Sequence, residues 1–310
     1  MSETGLPKPL TGIIPPMITP LIDRNQLDVA GAEALIEYIL SGGVHGLFIL
    51  GSTGEAPSLS YALRHELIER TCKQVAGRVP VLVGITDTSF VESVNLAKKS
   101  ADAGAQGVVL STPYYFPAGQ PELLEYLQDL VPELPLPVYL YNMPSLTKVV
   151  FSPDTTRRAA DMDGVVGMKD SSGDMIYFHE LIQTFRDRPD FSLLVGPEQL
   201  LAETVLAGGH GGISGGANFH PRLYVDLYNA AKAEDLARVR ALHAAVIKIG
   251  TSVYTVGQHS SSYLKGVKCA VSCLGLCGAA MAEPFHHFNE PERKQVRKYL
   301  IDLGLIEKSD

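Results

Sequence analysis

The chain has no tryptophan and only four cysteines among 310 residues, and its 26 Lys and Arg are outnumbered by 34 Asp and Glu. Each shortage removes a class of function. A formal net charge of -8 without any basic run argues against nonspecific nucleic-acid binding, which needs Lys and Arg clustered against phosphates. No stretch approaches the roughly 18 apolar residues needed to cross a membrane, and Met1 to Pro9 holds no apolar segment of signal-peptide length. The expectation is a cytoplasmic protein with neither nucleic acid nor membrane as partner. Cysteine is too sparse for a secreted disulfide framework. Cys269, Cys273 and Cys277 recur every fourth residue and would share one helix face. Without a further ligand, that stripe reads as small apolar side chains packing inward rather than as a metal site.

What the chain does have is an alternation. Short apolar or β-branched runs lie at Gly12–Ile14, Gly46–Leu50, Pro80–Ile85, Gly107–Ser111, Pro137–Tyr141, Gly164–Lys169, Ser192–Gly196 and Gly211–Gly215. Their hydrophobicity is continuous, as in parallel strands buried on both faces. Between them, Asp28–Leu40, Tyr61–Ala76, Phe90–Ala103, Pro121–Leu130, Asp154–Ala160, Met175–Phe185 and Glu198–Ala207 read as helices. Several begin beside Ser, Asp or Pro and stop at Gly, as helix ends require. Strands alternating with helices in this way predict an α/β fold of the (β/α)8, or TIM, barrel type over residues 1–233. An open doubly wound sheet would want a nucleotide fingerprint, and Gly51-Ser52-Thr53-Gly54 is not G-x-G-x-x-G. Beyond the eighth strand the pattern is helical only, so residues 234–310 are expected to form a C-terminal helical extension packed on the barrel.

Barrel chemistry collects at the C-terminal ends of the strands. Those ends carry Ser52, Thr53, Tyr114, Tyr115, Tyr141, Asn142, Lys169, Asp170, Ser171 and Ser214. Lys169 closes the apolar run Gly164–Met168, whereas most other lysines fall on helical or loop segments. Burial disfavours the ammonium form of a lysine, and a neutral amine attacks a ketone to form an imine. By position alone Lys169 reads as a snorkelling or salt-bridged lysine with Asp170 beside it. Its neighbours change that reading. An imine-forming enzyme must also move protons, and Tyr141, one strand away, offers a phenol for the purpose. By itself it also reads as a hydrogen-bonded core tyrosine. Ser52 and Thr53, flanked by glycines, offer neutral donors for a carboxylate, or a strand-to-helix turn with a capping hydroxyl. The stretch Gly208–Gly216 is either a phosphate cradle or backbone brought close to substrate. His286-His287 has no matching carboxylate or cysteine cluster and reads as superficial.

Taken together these motifs resemble the dihydrodipicolinate synthase/N-acetylneuraminate lyase family of class I pyruvate-dependent aldolases. The likeness runs through Thr11–Pro16, Gly51-Ser52-Thr53-Gly54-Glu55, Pro113-Tyr114-Tyr115, Tyr141-Asn142-x-Pro144 and Gly167–Ser171. The resemblance implies a lyase with Lys169 as imine-forming lysine, Tyr141 as proton-transferring phenol, and Ser52 and Thr53 at the substrate carboxylate. It implies that Ser52 links Tyr141 to Tyr115, which would enter the active site of a neighbouring subunit. Ile213 would offer its carbonyl near bound pyruvate, and Ser171 would lie beside it. The covalent imine would take the place of any cofactor, and the assembly would be a homotetramer, a dimer of dimers.

The departures bear on substrate. Dihydrodipicolinate synthases place an arginine two residues after the proline of Y-N-x-P, and here that residue is Leu146. Leucine supplies no charge-assisted pair for a second carboxylate. Neuraminate lyases hold sugar hydroxyls with an Asp-Glu pair and a serine, where this chain carries Glu198-Gln199 and Gly215. The reading is therefore reversible cleavage of a 2-keto-3-deoxy sugar acid to pyruvate and an aldehyde. The alternatives are a dihydrodipicolinate synthase, an N-acetylneuraminate lyase, a keto-deoxy sugar acid dehydratase using the same imine, or a catalytically silent 2-oxo acid sensor.

Overall fold

The computed structural model describes residues 5–308. All eight expected strands form: β1 (Gly12–Ile13), β2 (Leu47–Ile49), β3 (Val81–Gly84), β4 (Gly107–Ser111), β5 (Val138–Asn142), β6 (Val165–Asp170), β7 (Ser192–Val195) and β8 (Gly211–Gly212). Neighbours pair in parallel from β2 round to β8, and β8 pairs in turn with β1. The remaining gap is closed by Phe48 N donating to the Pro15 carbonyl at 2.9 Å and Met17 N donating to the Phe48 carbonyl at 2.8 Å. The sheet thus closes on itself as a TIM barrel.

Several helices start behind a Ser or Asp whose side chain caps the first turn. Ser60 accepts from Leu63 N ahead of Tyr61–Val75, and Asp28, Ser89, Ser152 and Asp174 do the same for theirs. The helix expected from Glu198 begins as a 3-10 turn, Glu198–Leu200, before Leu201–Leu206. A hairpin, Leu21–Asp23 with Gln26–Leu27, and a helical turn, Pro144–Thr147, are too short to leave a period in the sequence.

Alternation along the strands sorts side chains into two cores. Outward-facing Val108, Leu110, Val138, Leu140 and Met168 meet the helices. Inward-facing Leu82, Val109, Tyr139 and Leu194 fill the barrel, with Leu6 and Leu10 in the same cluster. Tyr139 needs its partner in β6 to be Gly167, where a Cβ would lie 2.7 Å from its ring. The floor is therefore solid, and Tyr141 and Lys169, two residues further along their strands, stand at the open end.

After β8 come the helices Pro221–Lys232, Leu236–Ser252, Ser262–Cys273 and Glu290–Asp302. Val246, Ile249, Val267 and Val271 join the same apolar core as the barrel's outer face. One buried ion pair ties this region to the loop after β2: Lys268 Nζ lies 2.5 Å from Glu55 Oε1, and Glu55 Oε2 accepts from Ala282 N at 2.8 Å. Among the described residues no helix is long and apolar enough to cross a membrane.

Candidate active site

β5 and β6 run in a register that sets Tyr141 directly beside Lys169. Lys169 is 4% exposed, and its Nζ stands 3.9 Å from the centroid of the Tyr141 ring and 5.1 Å from that of Phe48. The buried ion pairs among the described residues are Arg64–Asp87 and Lys268–Glu55, so Lys169 has no carboxylate partner. Asp170, adjacent in sequence, faces the other side of β6, as strand alternation demands. It accepts from Asn142 Nδ2 at 2.8 Å, Ser172 Oγ at 2.9 Å and Ser172 N at 3.1 Å. The salt-bridged alternative for Lys169 is thereby removed. What is left is an amine held on aromatic faces at the end of a strand.

Tyr141 is the group the amine perturbs. Burial pushes the phenol's pKa up, but the charge of Lys169 and hydrogen bonds with Ser52, Ser171 and Lys169 outweigh burial and hold it below the usual 10. A buried phenol that ionises more readily than normal is suited to giving and taking protons. Above these groups lies a cavity of about 520 Å³ bordered by Ser52, Thr53, Tyr141, Lys169, Ser171 and Ile213. A smaller lobe of about 220 Å³ runs toward Thr86, Ser111 and Tyr114 and shares Ser52, Tyr141, Met143 and Leu146 with it.

The other expected residues divide. Leu146 sits on the turn Pro144–Thr147, 55% exposed, and lines both lobes. Glu198 is in the wall, but its carboxylate is engaged from behind. Oε2 accepts from Gly216 N at 2.8 Å and Oε1 from the hydroxyls of Tyr224 and Tyr254. Burial raises its pKa against those bonds. The space beside Gly215 is taken by Tyr263, whose hydroxyl lies 1.8 Å from where a Cβ would stand. Tyr115 is not in this cavity; it is 74% exposed and meets the ring of Phe116 edge-on at 5.0 Å. The glycine-rich stretch is packed backbone, since a Cβ on Gly211 would lie 2.0 Å from the Gly12 carbonyl oxygen.

Tyr254, Ser260, Tyr263 and Leu264, all from the helical extension, line the cavity and escaped the sequence reading, as did Met143 and Ser145 after β5. The signal available was faint: two tyrosines flanking the polar segment Gln258–Ser262. No group of three or more His, Cys, Asp or Glu side chains converges as a metal-ligand set among the described residues.

Residues 9–302 match the model of the dihydrodipicolinate synthetase family. A 4-hydroxy-tetrahydrodipicolinate synthase of Methanoculleus marisnigri is 33% identical over 295 residues, 94% of this chain and 99% of that one. YagE of Escherichia coli, a putative 2-dehydro-3-deoxy-D-gluconate aldolase, is 33% identical over 301 residues, covering 95% and 97%. Its crystal structure with pyruvate superposes with a TM-score of 0.90, at 32% identity over 96% of this chain and 99% of that one. The dihydrodipicolinate synthase of Bacteroides thetaiotaomicron superposes with a TM-score of 0.94 at 56% identity, over 96% of this chain and all of that one.

Proposed function

The chain belongs to the dihydrodipicolinate synthetase family, whose members are class I pyruvate-dependent lyases, and we propose that within it this protein reversibly cleaves a 2-keto-3-deoxy sugar acid to pyruvate and an aldehyde. The observation that carries the chemistry is Lys169: a buried amine with no acidic partner, 3.9 Å over a phenol of depressed pKa, at the floor of a 520 Å³ cavity.

In the condensing direction, Lys169 Nζ attacks the ketone carbon of pyruvate. Tyr141 protonates the carbinolamine hydroxyl, which leaves as water, and the imine forms. The Tyr141 phenolate left by that transfer takes a methyl proton, giving the enamine and restoring the phenol, and the enamine carbon bonds to the aldehyde carbon. The resulting alkoxide takes a proton from Tyr141, and water then hydrolyses the imine to free the lysine. Cleavage is the reverse. Ser52 and Thr53 hold the carboxylate, Ile213 offers its carbonyl opposite, and Ser171 steadies Tyr141. No separate cofactor is called for. The test is incubation with pyruvate, borohydride reduction and peptide mass spectrometry. A stable adduct on Lys169 is the expected result, and an unmodified Lys169 at saturating pyruvate sinks the reading. Adduct formation without turnover of any aldehyde would leave the silent sensor.

The substrate half follows from what lines the cavity. Among the described residues, the lining holds no arginine and no lysine besides Lys169, and the rim is neutral: Ser145, Leu146, Gln199, Tyr254 and Ser260. Hydroxyl-bearing aldehydes suit such a rim. An aldehyde with its own carboxylate lacks a charged partner. The second reading, a dihydrodipicolinate synthase, draws on the 56% identical structure, and an aldehyde screen that includes aspartate semialdehyde separates the two. Sialic acid and dehydratase chemistry on the same imine belong in that screen. Leu146→Arg is expected to improve the ratio of kcat/KM for the carboxylate-bearing aldehyde over a neutral one by about tenfold or more.

Tyr141→Phe is expected to lower kcat by about 10²- to 10³-fold. Because the phenol ionises below the usual 10, the alkaline fall in wild-type rate begins below pH 10. A pH-rate profile should show that limb vanish in the Phe variant.

Chemistry is assigned to residues 1–233 and support to 234–310. A homotetramer is expected, with the exposed Tyr115 carried into a neighbour's site; sedimentation gives the assembly state.

A further inference from the structure

The helix Ser262–Cys273 lies outside the barrel proper, yet it places one side chain against a residue of the carboxylate site. The hydroxyl of Tyr263 is 3.2 Å from Thr53 Oγ1. We propose that Tyr263 is a positioning residue, which turns the Thr53 hydroxyl proton toward the bound 2-oxo acid and so sets affinity for it. This rests on the reading of Lys169 and Thr53 given above.

A threonine hydroxyl and a phenol each carry one proton, so the direction of the bond between them decides where the other proton points. Tyr263 is held on two sides. Its ring meets that of Tyr254 edge-on at 4.9 Å, and its oxygen occupies the volume that any side chain on residue 215 would need. Burial and the nearby Glu198 carboxylate raise its pKa, so the phenol keeps its proton. Glu198 is already supplied by Gly216 N, Tyr224 and Tyr254. Thr53 Oγ1 is the protein acceptor left to Tyr263, and a part-buried phenol proton without an acceptor is costly.

With Tyr263 donating, the lone pair of Thr53 facing the helix is used and its own proton is directed away. Thr53 and Tyr263 both border the cavity above Lys169. The free proton then faces the carboxylate, where a donor attracts an anion and a lone pair repels it. Without Tyr263 the Thr53 hydroxyl rotates freely, and part of its population presents oxygen to oxygen.

The effect therefore falls on binding and not on bond making. Borohydride trapping on Lys169 across a pyruvate titration reads occupancy, and steady-state kinetics read kcat. Tyr263→Phe is expected to raise the half-saturating pyruvate concentration about tenfold while kcat stays within about twofold. Thr53→Val should also raise the half-saturating pyruvate concentration, and the double variant should bind no more weakly than Thr53→Val alone. Both replacements keep volume, and melting curves check that the fold is intact. The proposal is overturned if the two single effects multiply. It is also overturned if Tyr263→Phe lowers kcat with half-saturation unchanged, or changes neither. Absence of any wild-type adduct on Lys169 sinks the imine reading itself, and this proposal with it. A normal wild-type adduct with unaltered half-saturation in Tyr263→Phe removes the positioning role alone.

Discussion

Lys169→Met is expected to abolish turnover, by about five orders of magnitude or more, while leaving the protein folded. The amine is the proposed nucleophile, and neither Ser52, Tyr141 nor Ser171 can form an imine. Lys169→Arg should be equally inactive, since a guanidinium stays protonated and cannot condense with the ketone. Stability should move the other way. Lys169 is buried without a carboxylate, so the folded state takes a polar amine out of water with no acidic partner to offset the cost. Methionine has a similar shape and leaves Tyr141 its bonds with Ser52 and Ser171. Thermal melting should therefore show the Met variant at or above the wild-type midpoint. Retention of more than about a hundredth of wild-type activity, or a pyruvate adduct on another lysine, would refute the assignment.

How much of this was legible before the structure depends on distance along the chain. The strands were readable because parallel strands are buried on both faces and show as unbroken apolar runs. Lys169 stood out because it interrupts such a run at its end. The position of Asp170 was available from the same logic, since neighbours on a strand face opposite sides. Tyr263 and Lys268 were not readable. Their partners Thr53 and Glu55 lie 210 and 213 residues away, and nothing local in the helix Ser262–Cys273 marks either side chain as functional. Glu198 shows the same limit. Its sequence position suggested a sugar contact, but what its carboxylate meets is set by Tyr224 and Tyr254, which arrive from two later segments. Tyr115 is harder still, because the surroundings proposed for it belong to another copy of the chain.

The same long-range wiring underlies the second large effect: Lys268→Met is expected to cost about 3–5 kcal/mol, because removing one half of a buried ion pair strands the other. Lys268 is 1% exposed and Glu55 is 5% exposed. Burial lowers the pKa of Lys268 despite the attraction of Glu55, and taking both partners of an ion pair out of water offsets much of what their attraction contributes. Half of the pair is another matter. Glu55 would keep only the Ala282 amide for its charge, while holding a left-handed φ of +58°, a conformation that non-glycine residues keep when the surroundings fix them. Glu55→Gln in the Lys268→Met background retains an oxygen for Ala282 N and removes the stranded charge, so it should recover most of the loss. Urea unfolding of the two singles and the double measures the coupling. The loop at stake is Gly51–Glu55, which carries Ser52 and Thr53. Lys268→Met should therefore also raise the pyruvate concentration needed for trapping, and the double variant should lower it again. A loss below about 1 kcal/mol for Lys268→Met would mean that the extension merely covers the barrel and does not hold the carboxylate loop in place.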